Sequence, residues 1–275
     1  MLQKVLDPRL LLRQGFGPVA RPTTPLPRVT ALEPPRTGPR TWTVYEPNTP
    51  LPAVAISYPY PAASSPDIAA LVVADAILAT GESSRLYRSL VYEKQLAQSA
   101  FTFLGSAQQP NSTAVIAILA GGKGVEEGET ALRAEVSRLS TEPVTAAELA
   151  EAKNELISAA LREQETADGK ARALARAAIL SGNPDQANRI VAQIQAVTAA
   201  DIQRVARKYL RDDQRSVIRY LPDTDKPADA PTYGVAATVV DAPLAAPASI
   251  RIVTPAAEAD RMAVELTGTS SHMVS

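Results

Sequence analysis

Ala79–Ala100 reads ATGESSRLYRSLVYEKQLAQSA, and how this stretch is read decides the fold. Gly81 stops whatever helix precedes it. Ser83 and Ser84 have the chemistry of N-caps, accepting backbone N–H bonds at the start of a new helix. That helix is expected from about Ser84 to Gln95 and hands over to a strand near Gln98–Gly105. A helix, a short break, a second helix and a strand within so few residues describe a compact α+β unit, with no regular alternation of strands and helices.

Working outward, the upstream segment PDIAALVVADAIL carries Ile68, Leu71, Val72, Ile77 and Leu78. It predicts an apolar, buried helix with Ser65 as N-cap and Pro66 in the first turn. Before it come two strand candidates, TWTVYEP (41–47) and AVAISYPY (53–60). In the second, Val54, Ile56 and Tyr58 alternate with Ala53, Ala55 and Ser57, and the small-residue face is expected to receive the helices. Downstream, the turn-like AQQPNS leads to STAVIAILA, which is apolar on both faces and predicts an interior strand. Val125, Leu132, Val136 and Leu139 form one helical stripe, and Leu149, Ala152, Leu156 and Ala160 another. Thr145/Glu148 and Thr198/Asp201 have capping-box spacing. QRSVIRYLP, ended by Pro222, is the last strand before the tail. The fold class expected is α+β, a mainly antiparallel sheet covered by helices.

Proline separates this unit from its flanks: 13 of the 23 prolines fall in residues 1–61, and the next 161 positions hold five. Residues 1–40 therefore read as a Pro-rich linker, 41–222 as the folded domain, and 223–275 as an Ala/Pro-rich tail with one strand-like piece at Ser249–Val253. With 28 Lys and Arg against 29 Asp and Glu the net charge is −1, which offers no field to gather nucleic acid or an anionic membrane. No apolar run is long enough to span a bilayer. The chain has no cysteine, so disulfides, thiolate nucleophiles and sulfur-ligated metals are excluded. Periplasmic and cytoplasmic residence both stand.

Candidate chemistry is sparse. The single histidine, His272, lies in the terminal SSHMVS and reads as a tail residue. GESSR is not a G-x-S-x-G elbow, because Arg85 stands in place of the second glycine. AGGKG (120–124) lacks the hydroxyl residue that would follow Lys123 in a phosphate loop and reads as a tight strand-to-helix turn. Glu148, Glu151 and Glu155 could gather carboxylates around a cation, but with Lys153 beside them they read as a solvated face. No catalytic residue and no metal ligand is assigned.

The segments PDIAALVVADAIL, AILATGESSRLYRSLVYEKQLAQSA, VTAAELAEAKNELI and VTAADIQRVARKYL, in this order between Thr41 and Pro222, resemble the pitrilysin/insulinase family of zinc metallopeptidases in its mitochondrial-processing-peptidase-like branch. The resemblance implies one half of a two-half clamshell closing around an extended peptide. An H-x-x-E-H motif marks the zinc-bearing half. This chain lacks it and so is similar to the C-terminal, metal-free half, its leader standing where the linker between halves would be. Zinc would be held by a homologous partner half, from the same polypeptide or a separate subunit. Many such halves carry an arginine and a tyrosine seven residues apart that reach the peptide. Here the places hold Val91 and Gln98, and only Gln98 could still contact a peptide backbone. The resemblance thus implies a chamber-completing half of a zinc endopeptidase, inactive alone, or a proteolytically inactive scaffold from the same family. An unrelated enzyme using Ser84 or Lys123 is a third reading.

Overall fold

The computed structural model describes residues 17–18 and 34–231, and the backbone of two further strands at 250–255 and 261–266. The chain divides into a unit of residues 31–231 and another of residues 1–30 and 232–275. The first contains strands β1 (Arg40–Glu46), β2 (Ala53–Tyr60), β3 (Ala97–Phe103), β4 (Asn111–Leu119) and β5 (Ser216–Pro222). Its helices are α1 (Ile68–Ala79), α2 (Val125–Thr141), α3 (Ala146–Glu163), α4 (Ala167–Ser181), α5 (Gln186–Ala196) and α6 (Ala199–Tyr209). In the second unit, β6 (Ile250–Pro255) and β7 (Arg261–Leu266) pair antiparallel. The strand-like reading at 249–253 falls on β6. Its partner β7 carries no turn signal that would have announced it, and His272 lies outside the described residues.

The sheet order is β1-β5-β2-β4-β3, antiparallel except for the β1/β5 pair. β4 is interior, as its two-faced apolarity predicts. Arg36, in the Pro-rich leader, donates to the Ser57 and Gln214 carbonyls at 2.8 and 3.0 Å, so the leader's end is tied to the sheet.

Strand periodicity assigns the sheet's two faces. Val54, Ile56, Tyr58, Val115, Ala117 and Val217 are buried, opposite one another in register, beneath the helices. The small-residue face of β2 is therefore not the one the helices cover, which corrects the sequence expectation. Large branched residues meeting Leu132, Val136 and Leu139 of α2 remove far more apolar area from water than Ala53, Ala55 and Ser57 could. α2 approaches β4 closely at Gly128, where an added Cβ would lie 2.6 Å from the Leu119 side chain.

α1 is buried along nearly its whole length and packs between α3 and α6. It begins at Ile68 with Asp67 as N-cap, two residues later than the sequence suggests. Ser65 still contributes, because its hydroxyl accepts the Asp67 N–H at 3.2 Å. Both capping boxes form, at Thr145/Glu148 and Thr198/Asp201. Gly81 ends the α1 region with a left-handed φ of 77°.

Two further expectations change. The helix after Gly81 is a π-helix over Tyr87–Glu93, with the Lys94 N–H on the Ser89 carbonyl at 3.1 Å. Leu86 and Leu90 face the core, Gln95 then leaves with φ 48°, and Leu96 beyond it is buried again. Ser83 and Ser84 are not caps: the Ser84 hydroxyl donates to the Gly81 carbonyl at 2.7 Å and the Ser83 hydroxyl to Glu151 at 2.6 Å. A helix that opens on buried Arg85 and Leu86 leaves these side chains facing away from its first N–H groups.

Candidate functional site

The face of the sheet opposite the helices is the surface that can meet another polypeptide. Register places Trp42 beside Ile218 and Val44 beside Tyr220, then Ile218 beside Ala55 and Tyr220 beside Ala53. The rows continue through Ile116 and Ile118 of β4 to Phe101 and Ser99 of the edge strand β3, and Phe103 lies opposite Ala114 in the next row. Each of the five strands thus adds apolar side chains to one continuous surface. Phe103 is 67% exposed, Phe101 42% and Tyr220 39%. No carboxylate or basic side chain stands in those central rows, so the face can take apolar side chains but cannot ionise a nucleophile or hold a metal.

Gln98 lies at one end of this surface. It is the extra residue of a β-bulge, where the pairing steps from Ala97/Leu119 to Ser99/Ile118, and its side chain is exposed. A bulge on an edge strand turns one side chain away from the ladder and leaves its amide available. Val91 behaves differently: it is half-buried in the π-helix and packs on the core. The structure leaves Gln98 exposed and gives Val91 a packing role.

The remaining sequence candidates have structural partners. The Ser84 hydroxyl is buried and committed to Gly81. Lys123 sits in the turn after β4, its N–H on the Ala120 carbonyl at 3.1 Å, and Gly122 supplies the left-handed φ of 77° that the turn requires. Glu151 and Glu155 are exposed, as a solvated face requires, while Glu148 is partly buried. Glu148 receives Arg85 Nε and Nη2 at 2.7 and 3.2 Å, and Glu151 receives Ser83. The Arg85 hydrogen bond and those from Thr145 hold the Glu148 carboxyl down at about 2 despite partial burial. The row of carboxylates thus docks α3 onto the loop after Gly81. Among the described residues no group of three or more His, Cys, Asp or Glu could hold a metal ion. Among them, too, no helix is long and apolar enough to cross a membrane.

Two further carboxylates, neither singled out from the sequence, are perturbed to a similar degree. Asp67 accepts from Arg204 at 2.6 Å, Lys208 at 2.8 Å and Tyr209 at 2.8 Å. Burial raises its pKa, but these three bonds outweigh it and bring it to about 2. Asp75, on α1 against Tyr60 and Thr102, is pushed up to about 6 by burial, partly offset by a hydrogen bond from Thr102. Neither carries a sequence signal that sets it apart. Only packing reveals what surrounds them.

Residues 11–156 match the family model described as the peptidase M16 inactive domain. Among solved structures, a protease from Helicobacter pylori is 25% identical with a TM-score of 0.73, over 78% of this chain and 52% of that one. The chain therefore spans about half the length of that protease. The inactive peptidase domain of a candidate zinc protease from Bordetella parapertussis is 31% identical with a TM-score of 0.56, over 62% of this chain and 92% of that one. A peptidase M16 inactive domain from Pseudomonas fluorescens, at 15% identity and a TM-score of 0.58, covers 72% of this chain and 46% of its own and shares the fold. No curated protein matches the chain.

Proposed function

Because the chain belongs to the family of the peptidase M16 inactive domain, we propose that it is the metal-free C-terminal half of a bacterial zinc-dependent endopeptidase and closes a peptide chamber against a separate zinc-bearing half. The observation that carries this reading is the open apolar face running from Trp42 to Phe103, a surface suited to forming a wall and lacking any group that could cleave. Zinc and the general base come from the partner half. This half contributes apolar contacts and, at Gln98, one amide able to hydrogen-bond an extended peptide backbone. Similarity to the Helicobacter pylori protease over about half its length supports a parent assembly about twice the length of the matched part of this chain.

The test is to mix the chain with the zinc-bearing half and follow cleavage of a quenched-fluorescent peptide. Activity should need both components and fall when Ile218→Asp and Phe103→Asp are combined in this chain. Cleavage by this chain alone, or no gain on mixing, overturns the reading. One observation favours a scaffold instead: Val91 packs on the core at a position where a charged peptide contact would stand. That second reading fails if an intact complex cleaves peptides and loses the activity when this half is removed.

A further inference from the structure

A cavity of about 260 Å³ lies where the π-helix meets the last turn of α2 and the first turn of α3. Arg85, Arg88 and Arg138 line it, together with Glu93 and Glu148. Arg85 is only 7% exposed, and its Nε and Nη2 are spent on Glu148, yet its Nη1 is buried with no partner. A buried guanidinium N–H without an acceptor is costly, and native structures seldom leave one unless something else fills the place. Arg88 extends from the π-helix with no hydrogen bond or ion pair among the described residues. Arg138 is already held by Glu135 and Glu142. Ser89 accepts from Lys94 at 2.9 Å. Donors without an acceptor thus include Arg85 Nη1 and the Arg88 guanidinium, on two residues that line the same cavity.

We propose that this cavity is a carboxylate-binding site, in which one carboxylate from an acidic side chain or a polypeptide C-terminus seats between Arg85 Nη1 and Arg88. Arg138 is balanced by Glu135 and Glu142 and Arg85 by Glu148, which leaves Arg88 as the one cation of the lining without a carboxylate partner, a single positive charge that a monoanion neutralises. A phosphate dianion would overshoot it and be repelled by Glu93 and Glu148. Guanidinium geometry favours the planar carboxylate for the same reason that Arg85 already grips Glu148 through two nitrogens. The π-helix supplies Arg88, Ser89 and Glu93 from a single widened turn, a deformation often found where a helix shapes a site. The site belongs to this chain alone and does not depend on any pairing with another half.

The full chain, ¹⁵N-labelled, is titrated with N-acetyl-glutamate amide, with N-acetyl-Gly-Gly bearing a free C-terminus, with N-acetyl-Gly-Gly amide and with inorganic phosphate, following the arginine Nε–H resonances. Saturable shifts of Arg85 and Arg88 with a carboxylate probe and none with the uncharged amide are expected; which of the two carboxylates binds more tightly tells the acidic side chain from the C-terminus. Arg88→Gln, at an exposed position that leaves the fold intact, should weaken binding about tenfold. Arg85→Lys, which keeps the charge beside Glu148 but removes Nη1, should weaken it similarly while circular dichroism stays native. Equal shifts with the uncharged amide, unchanged binding by Arg88→Gln, tighter binding of phosphate than of either carboxylate, or no saturable shift at all would overturn the proposal.

Discussion

Replacing Asp67 with Asn tests the polar junction that fastens α6 to the start of α1. The carboxylate is almost wholly buried, its side chain 8% exposed, while Arg204 and Lys208 are 51% and 58% exposed. The two cations can return to water when the acid is lost, so most of the cost falls on the acid itself. Its pKa drops from 3.8 to about 2 on folding. At roughly 1.4 kcal/mol per unit, the charged form adds about 2.5 kcal/mol of stability at neutral pH. A folded pKa below the unfolded one means the stabilisation is complete above pH ~5 and is lost as the pH falls through ~4 towards ~2. Integrating over both states leaves about half of it at pH ~3. Urea unfolding followed by far-ultraviolet circular dichroism should therefore show Asp67→Asn less stable by about 2.5 kcal/mol at pH ~7 and by about half that at pH ~3. A pH-independent gap would mean that Asp67 acts through packing, and no gap at pH ~7 would mean that the junction contributes nothing.

Asp75→Asn should do the opposite. Its carboxyl is pushed up to about 6 by burial, so it subtracts stability as the pH rises from ~4 to ~6, and the amide should stabilise the protein at neutral pH by up to about 3 kcal/mol with no gain at pH ~3; equal midpoints at pH ~7 would refute this. Gly169→Ala places a Cβ 1.6 Å from the Glu163 carbonyl oxygen, a backbone atom that cannot swing aside, so the corner between α3 and α4 must open at a cost of about 2 kcal/mol, read as a lower denaturation midpoint; an unchanged midpoint would show that the corner already yields.

Much of the fold was legible because its signals are local. Thr145 and Thr198 announce helix starts through side chains that bond within three residues, and both boxes form as spaced. Alternation in AVAISYPY and the two-faced apolar run STAVIAILA mark two strands that pair along their length. Gly81 and Gly122 mark turns through left-handed φ values that glycine adopts at low cost. Candidate sites were less legible. Ser83 and Ser84 look like caps because serine before a helix usually is one, but buried Arg85 and Leu86 fix the helix phase and turn those hydroxyls elsewhere. A π-helix differs from an α-helix by one residue per turn, less than hydrophobic spacing can register over seven residues.

The sequence by itself determined the element order, the α+β class and the lack of an H-x-x-E-H motif or a cysteine, since these rest on periods, caps and residue types confined to short windows. Tertiary structure alone decided which face of the sheet the helices cover, which acids are held by cations, and that one nitrogen of Arg85 is buried without a partner. Those outcomes depend on residues from 63 to 142 positions apart, such as Arg85 with Glu148 and Asp67 with Tyr209, and spacing along a chain carries no record of such meetings.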